Sequence, residues 1–316
     1  MKIRRLLVSA VAGASLILAG CASDTGSQGG SSGSTSADAR VLKTVDGEVK
    51  VDAEPQRVVV LDYASLDTMV NLGLKDKIVS TAKAATMPDA AEGIEANAGS
   101  LKEPNMEAIA QADPDLIIIG SRQAKMKAEF EKIAPTANMA INYDHYTVES
   151  NLKNVEALGD FFDKKDEATK AADDTRQRVE KIKSSVKPNQ KEAAVLMTSG
   201  GEISLFGPNS RFGLVFNDLG FTPAGGVDSH SAHGENASFE LLRKLNPKTL
   251  FVLDRDAAIG EEGHTAKATL DNDLVKSTDA VKKKREFMLS GADWYLNGGG
   301  IQAMNKMLDD VEAATK

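Results

Sequence analysis

Cysteine is almost absent from this chain of 316 residues: Cys21 is the only one. A single cysteine excludes an internal disulfide framework and a thiolate metal cluster. Histidine is nearly as scarce, with four residues, so a His-rich zinc cage has little to draw on. Aromatic residues make up 5%, and Trp294 is the only tryptophan. The apolar run from Leu6 to Ala19 falls short of the roughly 20 residues that a spanning helix needs. Positive charge is also in deficit. A net charge of −8 argues against nucleic acid and against broad adhesion to anionic lipid. An anion bound here must be gripped by a local basic cluster. Catalytic signatures are missing as well: no phosphate-cradling P-loop, no HExxH, no serine elbow between a strand and a helix, and no carboxylate pair placed for acid–base work.

Lys2, Arg4 and Arg5 precede the Leu6–Ala19 run, the arrangement of a secretory signal. The run ends in Leu18-Ala19-Gly20-Cys21, which resembles a bacterial lipobox. That resemblance implies that residues 1–20 are removed and that Cys21 is acylated, anchoring the mature chain to an extracytoplasmic membrane face without spanning it. Residues 21–39 are nearly all Ser, Gly, Thr, Ala and Asp, a composition that cannot bury apolar surface and predicts a flexible tether.

Beyond the tether, 316 residues suffice for two lobes, each with its own core. "RVVVLD" (57–62) and "LIIIG" (116–120) read as strands buried on both faces, alternating with helical stretches. This predicts a parallel α/β lobe over 40–147. From Val148 to Val186 apolar residues recur three or four apart amid dense charge, which predicts one long amphipathic helix, or two with a slight break near Asp163. As a stiff strut over 148–187 it would restrict lobe motion to small rotations. A second α/β lobe follows over 188–316, with "EAAVLMTSG", "TLFVLDR" and "EFMLS" as strands and "IQAMNKMLDDVEAATK" as the terminal helix. The expected fold class is therefore two Rossmann-like α/β lobes joined by a long rigid helix, with a ligand cleft between them.

"NMEAIAQADPDLIIIGSR" (105–122) and "SFELLRKLNPKTLFVLDR" (238–255) share spacing: Glu107, Pro114 and Arg122 match Glu240, Pro247 and Arg255 at an offset of 133. Open α/β sheets bind ligands beyond the carboxyl ends of their strands, so Arg122 and Arg255 should face the crevice, one from each lobe. A lone surface arginine is ordinarily a solvated charge; two at matched positions point to a site. Arg211, in the loop "FGPNSRFG", is a third candidate. Three converging guanidinium groups, planar and permanently charged, would select a highly anionic, oxygen-rich ligand. "DWYLNGGG" places Trp294 and Tyr295 on the same edge as Arg255; Trp294 is expected to touch ligand. Tyr295 suits core packing, yet a phenolate is also a hard oxygen donor for Fe(III). His230 and His233, in a glycine-containing loop, read on the residues alone as surface side chains.

Taken together, the lipobox, "VVVLDYASLDTMVNLGL", "GSLKEPNMEAIAQADPDLIIIGSRQ", "FGPNSRFG", "SAHGENASFE", "DRDAAIG" and "DWYLNGGG" resemble the ferric-siderophore substrate-binding lipoproteins of ABC importers. The branch serving catecholate siderophores, petrobactin among them, is the one resembled, over residues 40–316 in order. The resemblance implies a helix-bridged bilobed fold that binds without catalysis. It carries no permanently bound cofactor, and its transported ligand is a ferric siderophore. It puts the family's cleft arginines on Arg122, Arg211 and Arg255 and its iron-completing histidine and tyrosine on His233 and Tyr295, with His230 as the alternative histidine. It also implies that Glu107 and Glu240 dock on a permease served by its ATPase, although both glutamates equally suit the positive end of a helix dipole. A monomer is expected. Haem or a corrinoid is the alternative cargo of such a fold. A cell-surface siderophore hydrolase using Tyr295, His233 and an acid is the rival from another class.

Overall fold

Val58, Val59 and Val60 have no solvent exposure, as befits strands covered on both faces. The structure, a computed structural model, describes residues 39–228 and 234–316. The signal, Cys21, most of the tether, His230 and His233 lie outside the described residues.

A hairpin of β1 (Arg40–Thr44) and β2 (Gly47–Val51) leads into β3 (Val58–Val60), α1 (Tyr63–Asn71), β4 (Ile78–Lys83), β5 (Asn97–Ser100), α2 (Met106–Gln111), β6 (Leu116–Ile119), α3 (Lys127–Phe130) and β7 (Thr136–Asn138). Strands β3 to β7 form a parallel sheet in the order β5-β4-β3-β6-β7. Helices α4 (Val148–Phe161) and α5 (Lys165–Ser185) follow. The second half continues with β8 (Glu192–Ser199), β9 (Glu202–Phe206), β10 (Thr222–Pro223), β11 (Glu235–Ala237), α6 (Phe239–Leu245), β12 (Thr249–Asp254) and α7 (Arg255–Ala258). Short helices α8 (Ala266–Leu270), α9 (Asp273–Lys276) and α10 (Asp279–Lys282) then precede β13 (Glu286–Met288) and α11 (Gln302–Ala313). The second sheet is ordered β11-β9-β8-β12-β13, with β10 also on β8. The expected bilobed α/β class is borne out.

The offset of 133 is a structural repeat. Asn105 caps α2 by accepting the Ala108 N–H at 3.0 Å, and Ser238 caps α6 by accepting the Leu241 N–H at 3.2 Å. Each helix then stops at a left-handed residue before a proline: Asp113 (φ 46°) before Pro114, and Asn246 (φ 45°) before Pro247. Each following strand lies one position in from its sheet edge, β6 beside β7 and β12 beside β13. The halves part company next to β3 and β8. Strand β4 runs parallel to β3, whereas β9 returns antiparallel to β8 as a hairpin.

The break at Asp163 is a full reversal rather than a slight one. Asp163 adopts φ 56°, and the Lys164 N–H reaches back to the Gly159 carbonyl at 2.7 Å, the closing bond of a left-handed helix stop. Arg176 on α5 consequently meets Glu149 (2.8 Å) and Glu156 (3.0 Å) on α4, contacts that a straight helix forbids. Both helices span the lobe junction. On α4, Val155 and Leu158 join the first core while Val148 and Leu152 join the second; on α5, Ala168 joins the first while Ala172, Val179 and Ile182 join the second. The bridge is thus a braced pair, with α5 about 31 Å long at 1.5 Å per residue.

Two carboxylates, Asp67 buried and Asp218 half-buried, tie the starts of helices to distant parts of the chain. Asp67 on α1 accepts the N–H groups of Ile301, Gln302 and Ala303 at 2.5, 2.8 and 3.2 Å, capping the start of α11. Asp218, in the wide helical turn after β9, accepts the Val148 N–H at 3.0 Å at the start of α4. Burial pushes both acids up to about 6; backbone N–H groups oppose that shift, and Asp293 adds to it at Asp67 while Glu149 adds to it at Asp218. Burial does the same to Asp293, itself pushed up to about 6 despite the nearby Lys306. A carboxyl whose pKa is raised on folding binds its proton more tightly in the folded chain, so its contribution is greatest at low pH and is lost as pH rises through about 6. Asp279, held down to about 2 by Lys248, works oppositely and loses its contribution as pH falls through that value. The expected outcome is a Tm about 2–5 °C higher at pH 5.5 than at pH 7.5. Calorimetry across this range checks it; a Tm that climbs steadily with pH would contradict the assignment.

Candidate functional site

Strand β6 ends at Ile119 and Arg122 lies in the loop just beyond, whereas Arg255 directly follows β12 as the first residue of α7. Arg122 reaches across the junction: its Nη1 donates to the Leu296 carbonyl at 3.1 Å and its Nη2 to the Tyr295 carbonyl at 2.6 Å. Arg255 approaches the same residue from the other side, Nε donating to Tyr295 Oη at 3.1 Å. Arg211 completes the group. Its guanidinium carbon lies 4.6 Å from the Tyr295 ring centroid and 4.9 Å from that of Tyr143, so the flat cation is held between one aromatic ring from each lobe. Three guanidinium groups from two lobes therefore meet around Tyr295.

Their charges are unequally balanced. Arg255 has Asp256 at 3.4 Å and Glu261 at 3.6 Å, with Ser199 Oγ at 3.2 Å. Burial works against its charge, but the Tyr295 hydroxyl and the two carboxylates outweigh it and hold its pKa above the ordinary value. Arg211 shows the reverse. Burial holds its pKa below the usual arginine range; Tyr143 and Tyr295 oppose this while Arg122 adds like-charge repulsion. Its Nε is shut off from solvent without a hydrogen-bond partner. Among the described residues no carboxylate lies within 4 Å of Arg211 or Arg122. Asp62, the capping residue before α1, is the nearby acid, and it is spoken for by the Ser65 N–H and hydroxyl at 2.9 and 2.7 Å. Burial raises its pKa, eased by those bonds and by Arg122. The arrangement leaves Arg122 and Arg211 without an ion-pair partner among the described residues, in partly desolvated surroundings. Such surroundings attract an anion and disfavour a further cation.

The sequence profile of the periplasmic binding protein family, Peripla_BP_2, matches residues 58–291. The chain belongs to this family. It is 39% identical over 267 residues to the petrobactin-binding protein YclQ of Bacillus subtilis (strain 168), covering 83% of each chain. The YclQ crystal structure superposes with a TM-score of 0.83 at 36% identity, over 88% of this chain and 99% of YclQ. The periplasmic catecholate-siderophore binding protein VctP of Vibrio cholerae gives 0.81 at 33% identity, over 87% of this chain and all of VctP. PiuA of Streptococcus pneumoniae, an iron-uptake ABC transporter substrate-binding protein, gives 0.82 at 31% identity, over 88% and 99%.

One expected contact of this periplasmic binding protein is corrected by the structure. Trp294 is only 2% exposed and offers no ligand surface. Its ring stacks on Phe212 at 5.7 Å, and its indole N–H donates to Asp310 on α11 at 2.9 Å. A buried indole needs such an acceptor, so Trp294 anchors the wide turn 292–297 in the second core while Tyr295 projects to the junction. His233 and His230 lie outside the described residues. Gly234, beside them, has φ 73°, and a Cβ there would come within 2.8 Å of the Leu205 carbonyl, which accounts for the glycine. Glu107 and Glu240 are both exposed in the first turns of α2 and α6. Tyr143 and Ser199 escaped the sequence reading. Ser199 ends β8, at the carboxyl edge of its sheet, a signal that was available; Tyr143 follows a strand that stops at Asn138, earlier than the periodicity of "ANMAINY" suggests.

Proposed function

We propose that this periplasmic binding protein captures a ferric catecholate siderophore outside the cytoplasm and delivers it to an ABC permease, driven by its ATPase, for iron uptake. The observation that carries this reading is the meeting of Arg122, Arg211 and Arg255 around Tyr295, with two of the three lacking a carboxylate partner among the described residues. A ferric catecholate is an anion rich in oxygen acceptors, and guanidinium donors grip such oxygens with charge-assisted hydrogen bonds. Relatives named for petrobactin and for catecholate siderophores support the same cargo class. Tyr295 and His233 complete the iron's coordination when the siderophore supplies four donors, and pack against it when it supplies six. The ligand is bound and released unchanged. No cofactor is held permanently, and the protein acts as a monomer tethered through acylated Cys21.

Titration of intrinsic fluorescence with ferric catecholates, ferric hydroxamates and haem tests the cargo. The expected order is catecholate far tighter than neutral hydroxamate. Preferential haem binding, with a Soret band, would overturn the proposal. Glu107 and Glu240 are the proposed docking points, one on each lobe. Glu107→Ala with Glu240→Ala is expected to leave siderophore affinity within about twofold, as surface changes do, while uptake of labelled iron by cells falls at least about tenfold, since both docking charges are lost. Undiminished uptake would remove these residues from the docking surface.

A further inference from the structure

Three successive glycines, Gly298 to Gly300, connect the turn bearing Tyr295 to α11, and each faces an atom of the first lobe or of the bridging helix α4. A Cβ at Gly298 would lie 2.3 Å from the Tyr143 hydroxyl, one at Gly299 2.3 Å from Asn151 Oδ1, and one at Gly300 2.5 Å from Asp67 Oδ1. Asn151, 1% exposed on α4, holds Gly300 from both sides: its Oδ1 accepts the Gly300 N–H at 2.8 Å and its Nδ2 donates to the Gly300 carbonyl at 3.0 Å. Asp67, 3% exposed, takes the next three N–H groups. Leu296 packs into the first core although its chain belongs to the second lobe. The segment that follows Tyr295 is thus held by the first lobe, through Asp67, and by the bridging helix α4, through Asn151.

We propose that Asp67 and Asn151 are positioning residues for Tyr295: from α1 of the first lobe and from the bridging helix α4 they hold the start of α11 and the triglycine segment, and through these set where the Tyr295 oxygen stands relative to the three arginines. The inference rests on the reading of this cleft as a ferric-siderophore site. Neither side chain touches ligand; each acts through backbone. A metal–oxygen bond is short and directional, so a displacement on the order of 1 Å abolishes ligation, whereas charge contacts to an already saturated complex tolerate it. Loosening the segment therefore penalises ligands that need Tyr295 as a donor and spares those that do not.

The test is Asp67→Asn, which keeps size but turns one acceptor into a donor facing the α11 amides. Affinities are measured for ferric complexes of a tetradentate bis-catecholate and a hexadentate tris-catecholate. We expect at least about tenfold weakening for the first and within about threefold for the second, with altered visible absorption only for the tetradentate complex. Combined with Tyr295→Phe, Asp67→Asn should add no further loss, because both act through one oxygen. Equal weakening of both complexes, or additive losses, would overturn the assignment and leave a structural role. Should Asp67→Asn fail to fold, Asn151→Ser removes the Gly300 pair and carries the same comparison. Should the unaltered protein bind no ferric catecholate, the cargo reading fails instead. A crystal structure of the ligand-free variant then decides the positioning claim: a Tyr295 Oη to Arg255 Nε distance still at 3.1 Å refutes it, and a displaced Tyr295 sustains it.

Discussion

Replacing Arg122 and Arg255 together by alanine is expected to weaken ferric-catecholate binding by about 100-fold to 1,000-fold. Hydrogen bonds to charged groups are each worth about 1.5–3 kcal/mol; two such donors lost toward the lower end of that range, about 3–4 kcal/mol together, correspond to this loss. The two residues are the matched members of the repeat and come from opposite lobes, so the double variant removes one hand from each side of the cleft. Arg122 also holds the carbonyls of Tyr295 and Leu296, which makes some loss of thermal stability part of the expectation. Circular dichroism and Tm must therefore accompany the titration. Unchanged affinity in a folded double variant would show that the guanidinium groups serve the lobe seam alone.

Tyr295→Phe is the second large effect. The phenyl ring keeps its place between Arg211 and Arg255, so both cation–π contacts survive while the oxygen disappears. Tetradentate complexes, which would draw on that oxygen, should bind at least about tenfold more weakly, roughly 1.4 kcal/mol or more. Hexadentate complexes should shift by about twofold or less, since the Arg255–Tyr295 bond lost is a single partly buried contact. Equal shifts would mean that Tyr295 shapes the cleft without ligating iron. Isothermal titration with both ligand types separates these outcomes.

The repeat was the most legible feature of the sequence, because local physics writes it twice. A capping Asn105 or Ser238, a short helix, a left-handed Asp113 or Asn246, a proline and a buried strand are each dictated by neighbours in the chain. The arginine then falls at the carboxyl edge by arithmetic. Arg211 was legible in the same way, as a charge in a loop after a strand. What could not be read depends on contacts distant in sequence. Trp294 and Tyr295 are adjacent, and nothing local says that one turns into the core toward Asp310 while the other turns to the junction. The reversal at Asp163 was visible only as a weak point, since heptad-like spacing continues on both sides and the Arg176–Glu149 contact that reveals it joins residues 27 apart. The roles of Asp67 and Asn151 lie furthest from the sequence: their partners are backbone amides more than 140 positions away.

The most direct measurement is a crystal structure with a ferric tris-catecholate bound. The account predicts one iron complex seated between the lobes, its catecholate oxygens within hydrogen-bonding distance of Arg122, Arg211 and Arg255 together. A complex lodged elsewhere, with these three side chains still engaged only with Tyr295, Leu296 and one another's neighbours, would contradict it.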